Sequence, residues 1–330
     1  MKKLRWGVLS SAKIGRAHVI PAIQTSLLGE VVAIASRTQE SAEKIAKELG
    51  IKHAFGSYEA LLADPTIDAI YNPLPNHLHV PLSIAAIQAG KHVLCEKPLG
   101  LNSADVKALV DCAAAHPHIK IMEAFMYRFH PQWQKALELV RSGNLGQVRH
   151  IHSHFAYSNH DENNIRHKPE MGGGALMDIG CYCISLARFL YEEEPLQVIG
   201  QITPYAGHDV DCFVSGLLEF ADGNASFTAS TKSEPEQYVD IHGEHGRLRL
   251  HIPFNPIGDT VQHLTLTQNS VRSEIVTIPS NHYRNMTDSF AQSVIHNTPV
   301  PTPLRDAVAN MKIIDAIFAS AAQKEWISIE

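Results

Sequence analysis

Three side chains in this 330-residue sequence have the types and spacing that suit proton transfer and charge stabilisation. Asp178 and Tyr182 are four residues apart, so on a helix they share one face. Lys97 follows a short apolar run and precedes a proline. A hydride can leave a carbinol carbon only if the hydroxyl proton is removed as the carbonyl forms, so that chemistry needs a base or a proton relay. We therefore predict Lys97, Asp178 and Tyr182 as candidate catalytic residues. The structural alternatives are a dipole-complementing carboxylate for Asp178 and core packing for Tyr182.

The first third of the chain alternates short apolar runs with helical patterns. The runs are β-branched-rich, as in strands buried on both faces, and lie at 4–9, 31–35, 68–71, 92–95 and 119–122. Helical patterns lie at 14–26, 38–49, 57–63, 78–89 and 103–115, with Thr38, Ser57 and Ser103 as candidate N-caps and Gly50 and Gly90 as C-terminal stops. This alternation predicts a doubly wound parallel sheet.

After about residue 122 the pattern changes. A helix is predicted over 131–142, and helices over 174–191, 283–297 and 304–322. Alternating segments typical of strands lie at 147–156, 210–220, 224–231, 238–242, 247–252, 260–267 and 272–277, with a hairpin signal at Asp222-Gly223. We predict an α/β protein. A Rossmann doubly wound domain spans 1–122, and an α+β domain with a large, mostly antiparallel open sheet spans 123–330.

The turn after the first strand has the position of a dinucleotide-binding turn. Its sequence aligns with the G-x-G-x-x-G motif as Ser10-x-Ala12-x-x-Gly15, so two of the three glycines are missing. Small residues there let backbone amides approach a pyrophosphate at a helix N-terminus. An ordinary tight strand–helix turn is the alternative. The predicted cofactor contacts in this turn are Ser10, Ser11, Ala12, Lys13 and Ile14.

The end of the second strand favours NADP over NAD. An NAD site usually places Asp or Glu there to bind the ribose 2′-hydroxyl, whereas this chain has Ser36 and Arg37. A hydroxyl and a guanidinium suit a 2′-phosphate. A solvated Arg at a strand end is the alternative.

Several longer motifs resemble the glucose–fructose oxidoreductase/inositol dehydrogenase (Gfo/Idh/MocA) family over nearly the whole chain. They are Tyr71-Asn72-Pro73-Leu74-Pro75-Asn76-His77, Cys95-Glu96-Lys97-Pro98, Glu123-Ala124-Phe125-Met126-Tyr127-Arg128-Phe129-His130-Pro131, Asn164-Ile165-Arg166 and Gly172-Gly173-Gly174-Ala175-Leu176-Met177-Asp178-Ile179-Gly180-Cys181-Tyr182. Much of the family has His four residues after the Asp. Tyr182 instead resembles the branch with NADP-dependent D-xylose dehydrogenases, dihydrodiol dehydrogenases and glucose–fructose oxidoreductase.

The resemblance implies an NADP-dependent oxidoreductase acting on a sugar or polyol, with an aldose such as xylose favoured. A dihydrodiol or keto-sugar substrate, a nicotinamide-dependent glycosidase and a non-catalytic NADP sensor remain alternatives. It also implies a cis Lys97–Pro98 peptide. The implied further cofactor contacts are Pro73, Leu74, Asn76, His77, Glu96 and Lys97.

In this interpretation Tyr182 is the acid/base and Lys97 stabilises the developing alkoxide and lowers the pKa of the phenol, although the reverse assignment stays open. Asp178 binds a substrate hydroxyl or orients Lys97. Arg128 and Arg166 bind the polyol or form structural ion pairs. Asn76 could instead cap a helix, and Glu96 could only brace its turn. His282 and Tyr283, before a late helix, are weaker pocket candidates.

Composition excludes several other classes. The formal charge of −6 comes without a basic run, which argues against nucleic-acid or membrane partners. The chain begins without a signal-peptide pattern, and its five cysteines lack paired C-x-x-C spacing, so we expect a cytoplasmic protein with reduced thiols.

His150, His152 and His154 share a strand face but have no Cys or carboxylate in the alternation, and we predict no metal site. Polar residues at 224, 226, 228 and 230 line another strand face, and the resemblance implies a homodimer or higher oligomer through this sheet.

Overall fold

The computed structural model describes residues 3–207 and 209–329, and it divides into two compact units. Unit 1 combines the residues up to Met126 with His282–Val308, and unit 2 combines Tyr127–Asn281 with the residues from Ala309 onward. The division predicted from the sequence, at residue 122, placed 282–308 in the second domain. It differs because the helix at His282–Ile295 packs against the first two strands.

Unit 1 contains a six-stranded parallel sheet in the order β3-β2-β1-β4-β5-β6. Its strands are β1 (Leu4–Leu9), β2 (Gly29–Ala35), β3 (His53–Phe55), β4 (Ala69–Asn72), β5 (His92–Cys95) and β6 (Ile121–Glu123). Its helices are α1 (Ile20–Gln24), α2 (Gln39–Leu49), α3 (Tyr58–Leu62), α4 (His79–Gln88), α5 (Ser103–Ala115) and α8 (His282–Ile295). The chain reverses its winding between β1 and β4. Dinucleotides bind at the carboxyl ends of the strands at such a switch point.

Local capping explains where α2, α3 and α5 start and where α2 ends. Thr38 and Ser57 accept backbone hydrogen bonds as N-caps, and Gly50 ends α2 with φ +68°, as predicted. The predicted cap at Ser103 is wrong by one residue. Asn102 caps α5, because its side-chain oxygen accepts the N–H of Asp105 while Ser103 is already helical.

Unit 2 contains a nine-stranded sheet in the order β14-β13-β12-β11-β7-β10-β9-β8-β15. Its strands are β7 (Val148–Ser158), β8 (Gln197–Thr203), β9 (Phe213–Glu219), β10 (Asn224–Ser230), β11 (Lys232–Gly243), β12 (Arg247–Leu250), β13 (His263–Gln268), β14 (Val271–Val276) and β15 (Ile327–Ser328). Its helices are α6 (Pro131–Arg141) and α7 (Cys181–Tyr191), and α9 (Leu304–Gln323) contributes from Ala309 onward. Every pairing is antiparallel except β7 with β10.

One helical stretch of unit 2 is apolar enough to be compared with a membrane span. Pro169–Tyr191 passes that test by length and composition alone. However, 83% of its most apolar window is buried inside the protein, as in the core helix of a soluble protein. The helix therefore constitutes only weak evidence for a span.

The histidines of β7 form a polar row on this sheet. His152 Nδ1 lies 2.9 Å from Ser226 Oγ and His154 Nδ1 lies 2.6 Å from Thr228 Oγ1, while His150 pairs with Asn224. These partners come from β10, which runs parallel to β7 in matching register. Among residues 3–207 and 209–329, no group of three or more His, Cys, Asp or Glu is placed to hold a metal ion.

Candidate active site

The turn after β1 has the backbone that a phosphate-binding turn needs. Ser10 has φ +90°, a conformation that favours glycine, and its Oγ accepts the N–H of Ala12 at 3.0 Å. The chain becomes helical at Lys13 and passes through a π-helical turn at Gly15–Val19. Because the first N–H groups of a helix have no partner within it, this end can receive an anion. Serine thus replaces the first glycine of the fingerprint at a strained position, with its own hydroxyl as compensation.

The residues at the end of β2 also fit a dinucleotide carrying a 2′-phosphate. Ser36 is buried and its Oγ lies 3.1 Å from Ser41 Oγ, whereas Arg37 is exposed. No acidic side chain occupies the first positions after the strand, which read Ser36-Arg37-Thr38. With the switch point and the turn after β1, unit 1 can accommodate the pyrophosphate and ribose of NADP.

The ends of β4 and β5 are tied to each other by buried side chains. Tyr71 donates a 2.6 Å hydrogen bond to Glu96, and burial together with that carboxylate raises the pKa of Tyr71 well above its ordinary value. The ring nitrogens of His79 lie 2.7 Å from the Pro98 carbonyl oxygen and 2.7 Å from that of Leu74. His79 therefore joins two of the segments predicted to contact the cofactor.

The predicted residues on these loops have mixed outcomes. The Lys97–Pro98 peptide is cis, as the resemblance implied. Asn76 opens a short 3₁₀ turn, and neither this turn nor α4 has a side-chain N-cap, so the capping alternative for Asn76 is wrong. His77 has a buried Nδ1 without a hydrogen-bond partner in the described chain, while Pro73 and Leu74 are buried. Contact of all four with cofactor stays a prediction.

His282 and Tyr283 belong to unit 1. The ring of Tyr283 stacks on His18, which lies in the helical turn after β1, with centroids 5.2 Å apart. Burial and the Glu96 carboxylate both raise the pKa of Tyr283. The sequence had assigned this segment to the second domain, but α8 instead brings Tyr283 against His18 in the π-helical turn that follows β1.

Glycines in unit 2 let a carboxylate approach the start of the predicted catalytic helix. A Cβ on Gly173 would lie 2.6 Å from the Arg166 carbonyl oxygen. A Cβ on Gly174, where φ is +113°, would lie 2.0 Å from Asp211 Oδ1. Asp211 accepts the backbone N–H of Leu176 at 2.6 Å, so it satisfies a donor at the start of this helix. The glycine-rich loop is thus required by close packing.

Asp178 lies one turn later and receives two donors on one oxygen. Tyr157 donates its hydroxyl to Asp178 Oδ2 at 2.6 Å, and Arg166 Nε donates to the same atom at 2.7 Å. The Asp178 side chain is 12% exposed and that of Arg166 is 41% exposed. The carboxylate raises the pKa of Arg166, against the opposing effect of burial. Arg166 therefore forms the ion pair considered for it, and its binding of a polyol stays a prediction.

Tyr182 and Arg128 lie deeper in unit 2. The Tyr182 ring is 5% exposed and packs with Tyr127, Phe155 and Phe254 at centroid distances of 5.9, 5.7 and 5.4 Å. Tyr182 also contributes to the raised pKa of Arg166, after the larger effects of Asp178 and Tyr157. Arg128 donates to Ser185 Oγ at 2.7 Å and to the Tyr127 hydroxyl at 3.2 Å. These contacts are those of a structural residue, and substrate contact by Arg128 stays a prediction.

Three residues of these sites escaped the sequence analysis: His79, Tyr157 and Asp211. Each lies outside the glycine-rich, Glu-Lys-Pro and fingerprint segments that suggested chemistry. Tyr157 lies near the end of a strand and Asp211 precedes β9, so only the pairing of distant segments joins them to the helix of Asp178. The spacing Asn76-x-x-His79 was a signal for His79, but it reads equally as a helix start.

Asp211 is expected to make stability depend on pH. Burial, opposed by backbone hydrogen bonds from Leu176 and Ala175, raises the pKa of Asp211 from 3.8 to about 6. Because the folded pKa exceeds the unfolded one, the stabilisation is fully present below the unfolded pKa and is lost as the pH rises through about 6. Relative to Asp211→Asn, the free energy of unfolding of the unmodified chain should fall by roughly 1 kcal/mol from pH 5 to pH 8. Urea unfolding of both proteins across this range measures it, and parallel pH curves would refute it.

Family models match both parts of the chain. Residues 4–125 match the oxidoreductase family with an NAD-binding Rossmann fold, and residues 133–249 match the GFO/IDH/MocA C-terminal domain. A D-xylose 1-dehydrogenase (NADP(+)) from Haloferax volcanii is 41% identical over 322 residues, covering 96% of this chain and 97% of the relative. A trans-1,2-dihydrobenzene-1,2-diol dehydrogenase from Xenopus laevis is 34% identical over 69% of this chain and 68% of its own.

The fold is also similar to that of a solved enzyme. A 3-ketoreductase from Actinomadura kijaniata, in complex with NADP and TDP-benzene, superposes with a TM-score of 0.91 at 27% identity, over 97% of this chain and 98% of the other. The chain belongs to the GFO/IDH/MocA family of oxidoreductases. The predicted family, the α/β fold class and the assignment as an oxidoreductase are thereby confirmed.

Proposed function

We propose that this protein is an NADP-dependent oxidoreductase that acts on a carbinol carbon of a sugar or polyol, with an aldose such as xylose favoured. The observation that carries the proposal is the Tyr157–Asp178–Arg166 cluster, in which a carboxylate and a guanidinium offer acceptor and donor groups for hydroxyls. The 41% identical relative named for D-xylose and NADP supports the same substrate class.

NADP, when bound, supplies the hydride acceptor or donor. Toward it, the turn after β1 presents backbone N–H groups to the pyrophosphate, and Arg37 binds the 2′-phosphate. Toward the substrate, Asp178 accepts a hydrogen bond from one hydroxyl group, and Arg166 donates hydrogen bonds to hydroxyl oxygens. Tyr182 exchanges the proton of the reacting hydroxyl at its phenolic oxygen, and Lys97 stabilises the developing alkoxide. In the reverse assignment Lys97 exchanges the proton.

The direct test follows nicotinamide absorbance while the purified protein meets a panel of aldoses with NADP and then with NAD. Turnover of an aldose with NADP supports the proposal and ranks the substrates. Absence of turnover across aldoses, with NADP still bound tightly, contradicts the aldose assignment. The same assay with a keto-sugar and a trans-dihydrodiol then separates the alternatives supported by the ketoreductase and dihydrodiol dehydrogenase relatives from a sensor that only binds NADP.

Arg37→Ala is expected to weaken NADP affinity by about 10- to 100-fold and to leave NAD affinity nearly unchanged, because only NADP carries the 2′-phosphate that the guanidinium binds. Fluorescence titration with NADPH and NADH measures both dissociation constants. Lys47→Ala, which removes an exposed cation from the neighbouring helix α2, is the matched control. An equal loss for the two cofactors, or no loss for either, would refute the role of Arg37.

The proposal includes a homodimer or higher homo-oligomer formed through the nine-stranded sheet, and a cytoplasmic location. An interface is supported by the row of half-buried histidines, His150, His152 and His154, and their uncharged polar partners. A partner subunit can cover such side chains without burying an unpaired charge. The five cysteines are all free thiols, which suits a reducing compartment.

A further inference from the structure

Tyr157 donates a hydrogen bond to Asp178, a predicted substrate ligand, although the sequence analysis did not single out Tyr157. It lies one residue before the end of β7, and it is half-buried. Its hydroxyl donates to Asp178 Oδ2 at 2.6 Å. The same oxygen accepts Arg166 Nε at 2.7 Å, so two donors from different segments converge on one carboxylate atom.

The phenol of Tyr157 acts as a hydrogen-bond donor to Asp178. Burial raises its pKa far above the ordinary value, and the Asp178 carboxylate raises it further, with Arg166 opposing. Near neutral pH the phenol is therefore protonated, which suits a hydrogen-bond donor to Asp178 and not a base toward substrate. Its hydrogen bond to an ionised acceptor is of the stronger, charge-assisted kind.

The two donors also come from different kinds of segment. Tyr157 belongs to β7, which pairs with β10 as far as Ala156 and with β11 on its other side, where the register shifts between Ala156 and Ser158. Arg166 belongs to a short 3₁₀ turn within the segment 159–171. A contact to the strand thus fixes the carboxylate independently of the loop, and the carboxylate in turn anchors the loop through Arg166.

We propose that Tyr157 is a positioning residue for substrate binding, which holds the Asp178 carboxylate in the orientation that receives a hydroxyl of an uncharged polyol. This inference rests on the proposed function. A positioned acceptor saves the cost of ordering it when substrate binds, and the benefit applies equally to the ground state and the transition state. The consequence should therefore appear in KM and leave kcat unchanged.

The test compares Tyr157→Phe with Tyr191→Phe. The control removes a phenolic hydroxyl from the same unit, one that donates to the Asn224 carbonyl oxygen at 2.9 Å and has no contact with Asp178. With NADP saturating, Tyr157→Phe should raise the sugar KM about tenfold, as expected for loss of a hydrogen bond to a charged group, with kcat changed less than about twofold. Tyr191→Phe should leave both values unchanged. An unaltered KM in Tyr157→Phe, or equal changes in both variants, overturns the proposal.

A double-mutant cycle tests whether Tyr157 acts through Asp178. In an Asp178→Ala background, Tyr157→Phe should change KM less than about twofold further, because the acceptor that it positions is absent. Independent effects that multiply in the double variant overturn a positioning role.

Hydrogen–deuterium exchange supplies a readout that needs no turnover. Loosening of Asp178 should release Arg166, so amides in 159–171 should exchange faster in Tyr157→Phe and not in Tyr191→Phe. Unchanged exchange overturns the inference even if the enzyme oxidises aldoses. Faster exchange in an enzyme that oxidises no sugar supports the contact and overturns the proposed function instead.

Discussion

Replacing Tyr182 by Phe, or Lys97 by Ala, is expected to lower NADP-linked sugar turnover by about 10³-fold with the fold retained. Tyr182 is the sharper of the two substitutions. Its ring is buried among Tyr127, Phe155 and Phe254, and phenylalanine preserves that packing, so the loss reports on the hydroxyl alone. Stopped-flow measurement of the first turnover with saturating NADP and sugar isolates the chemical step.

Matched controls exist for both substitutions. Tyr191→Phe removes a phenol from the same helix α7, and Lys107→Ala removes a lysine of unit 1 whose partner is the exposed Asp111. Both should keep more than about half of the turnover, since exposed ion pairs and remote hydroxyls contribute little. If Tyr182→Phe kept more than a tenth of the rate while Lys97→Ala lost it, the proton exchange would belong to Lys97. Full activity in both variants would remove both residues from the mechanism.

Gly174→Ala is expected to destabilise unit 2 by about 3 kcal/mol or more and to weaken sugar binding as well. The new Cβ would lie 2.0 Å from Asp211 Oδ1 at a backbone φ of +113°. To relieve that overlap, the carboxylate must withdraw from the N–H of Leu176, which leaves a buried donor unsatisfied at the start of the helix that carries Asp178 and Tyr182. Urea unfolding and the sugar KM measure the two effects.

Gly50→Ala is a control that separates the effect of the overlap between the new Cβ and Asp211 from the effect of a positive backbone φ. Gly50 also has a positive φ, of +68°, but a Cβ there has no atom within 4 Å. This control should cost about 1 kcal/mol, the usual penalty of a left-handed residue, and leave KM unchanged. Equal destabilisation by the two substitutions would contradict a special role for the close approach of Asp211.

The architecture of unit 1 was largely predictable because its signals are local. Five of the six strands follow from apolar runs buried on both faces, and the caps at Thr38 and Ser57 depend on side chains that accept from backbone N–H groups only three residues away. The short strands β3 and β15 and the strand β8 were not predicted. β3 is exposed or half-buried along its length, so burial imposed no apolar pattern on its sequence.

The assignment of α8 to unit 1 could not be read from the sequence. A chain position after the large sheet suggests the second domain, but Trp6 of β1 and Phe290 of α8 pack with ring centroids 5.4 Å apart. The amphipathic pattern of a helix predicts which of its faces is buried, but it does not predict which sheet that face packs against. Tertiary packing alone decided that Tyr283 stacks on His18.

The sequence by itself determined the alternation of strands and helices in unit 1 apart from β3, the family, and the candidate residues Lys97, Asp178 and Tyr182, because motif residues and helical spacing are properties of neighbouring residues. Tertiary structure alone decided the partners that control them: Tyr157 and Arg166 on Asp178, and Asp211 at the head of its helix. Tyr157 and Asp211 are separated from their partners by 21 and 35 residues. Hydrogen bonds over such separations depend on how strands pair and loops close, and no local pattern of residue types encodes that.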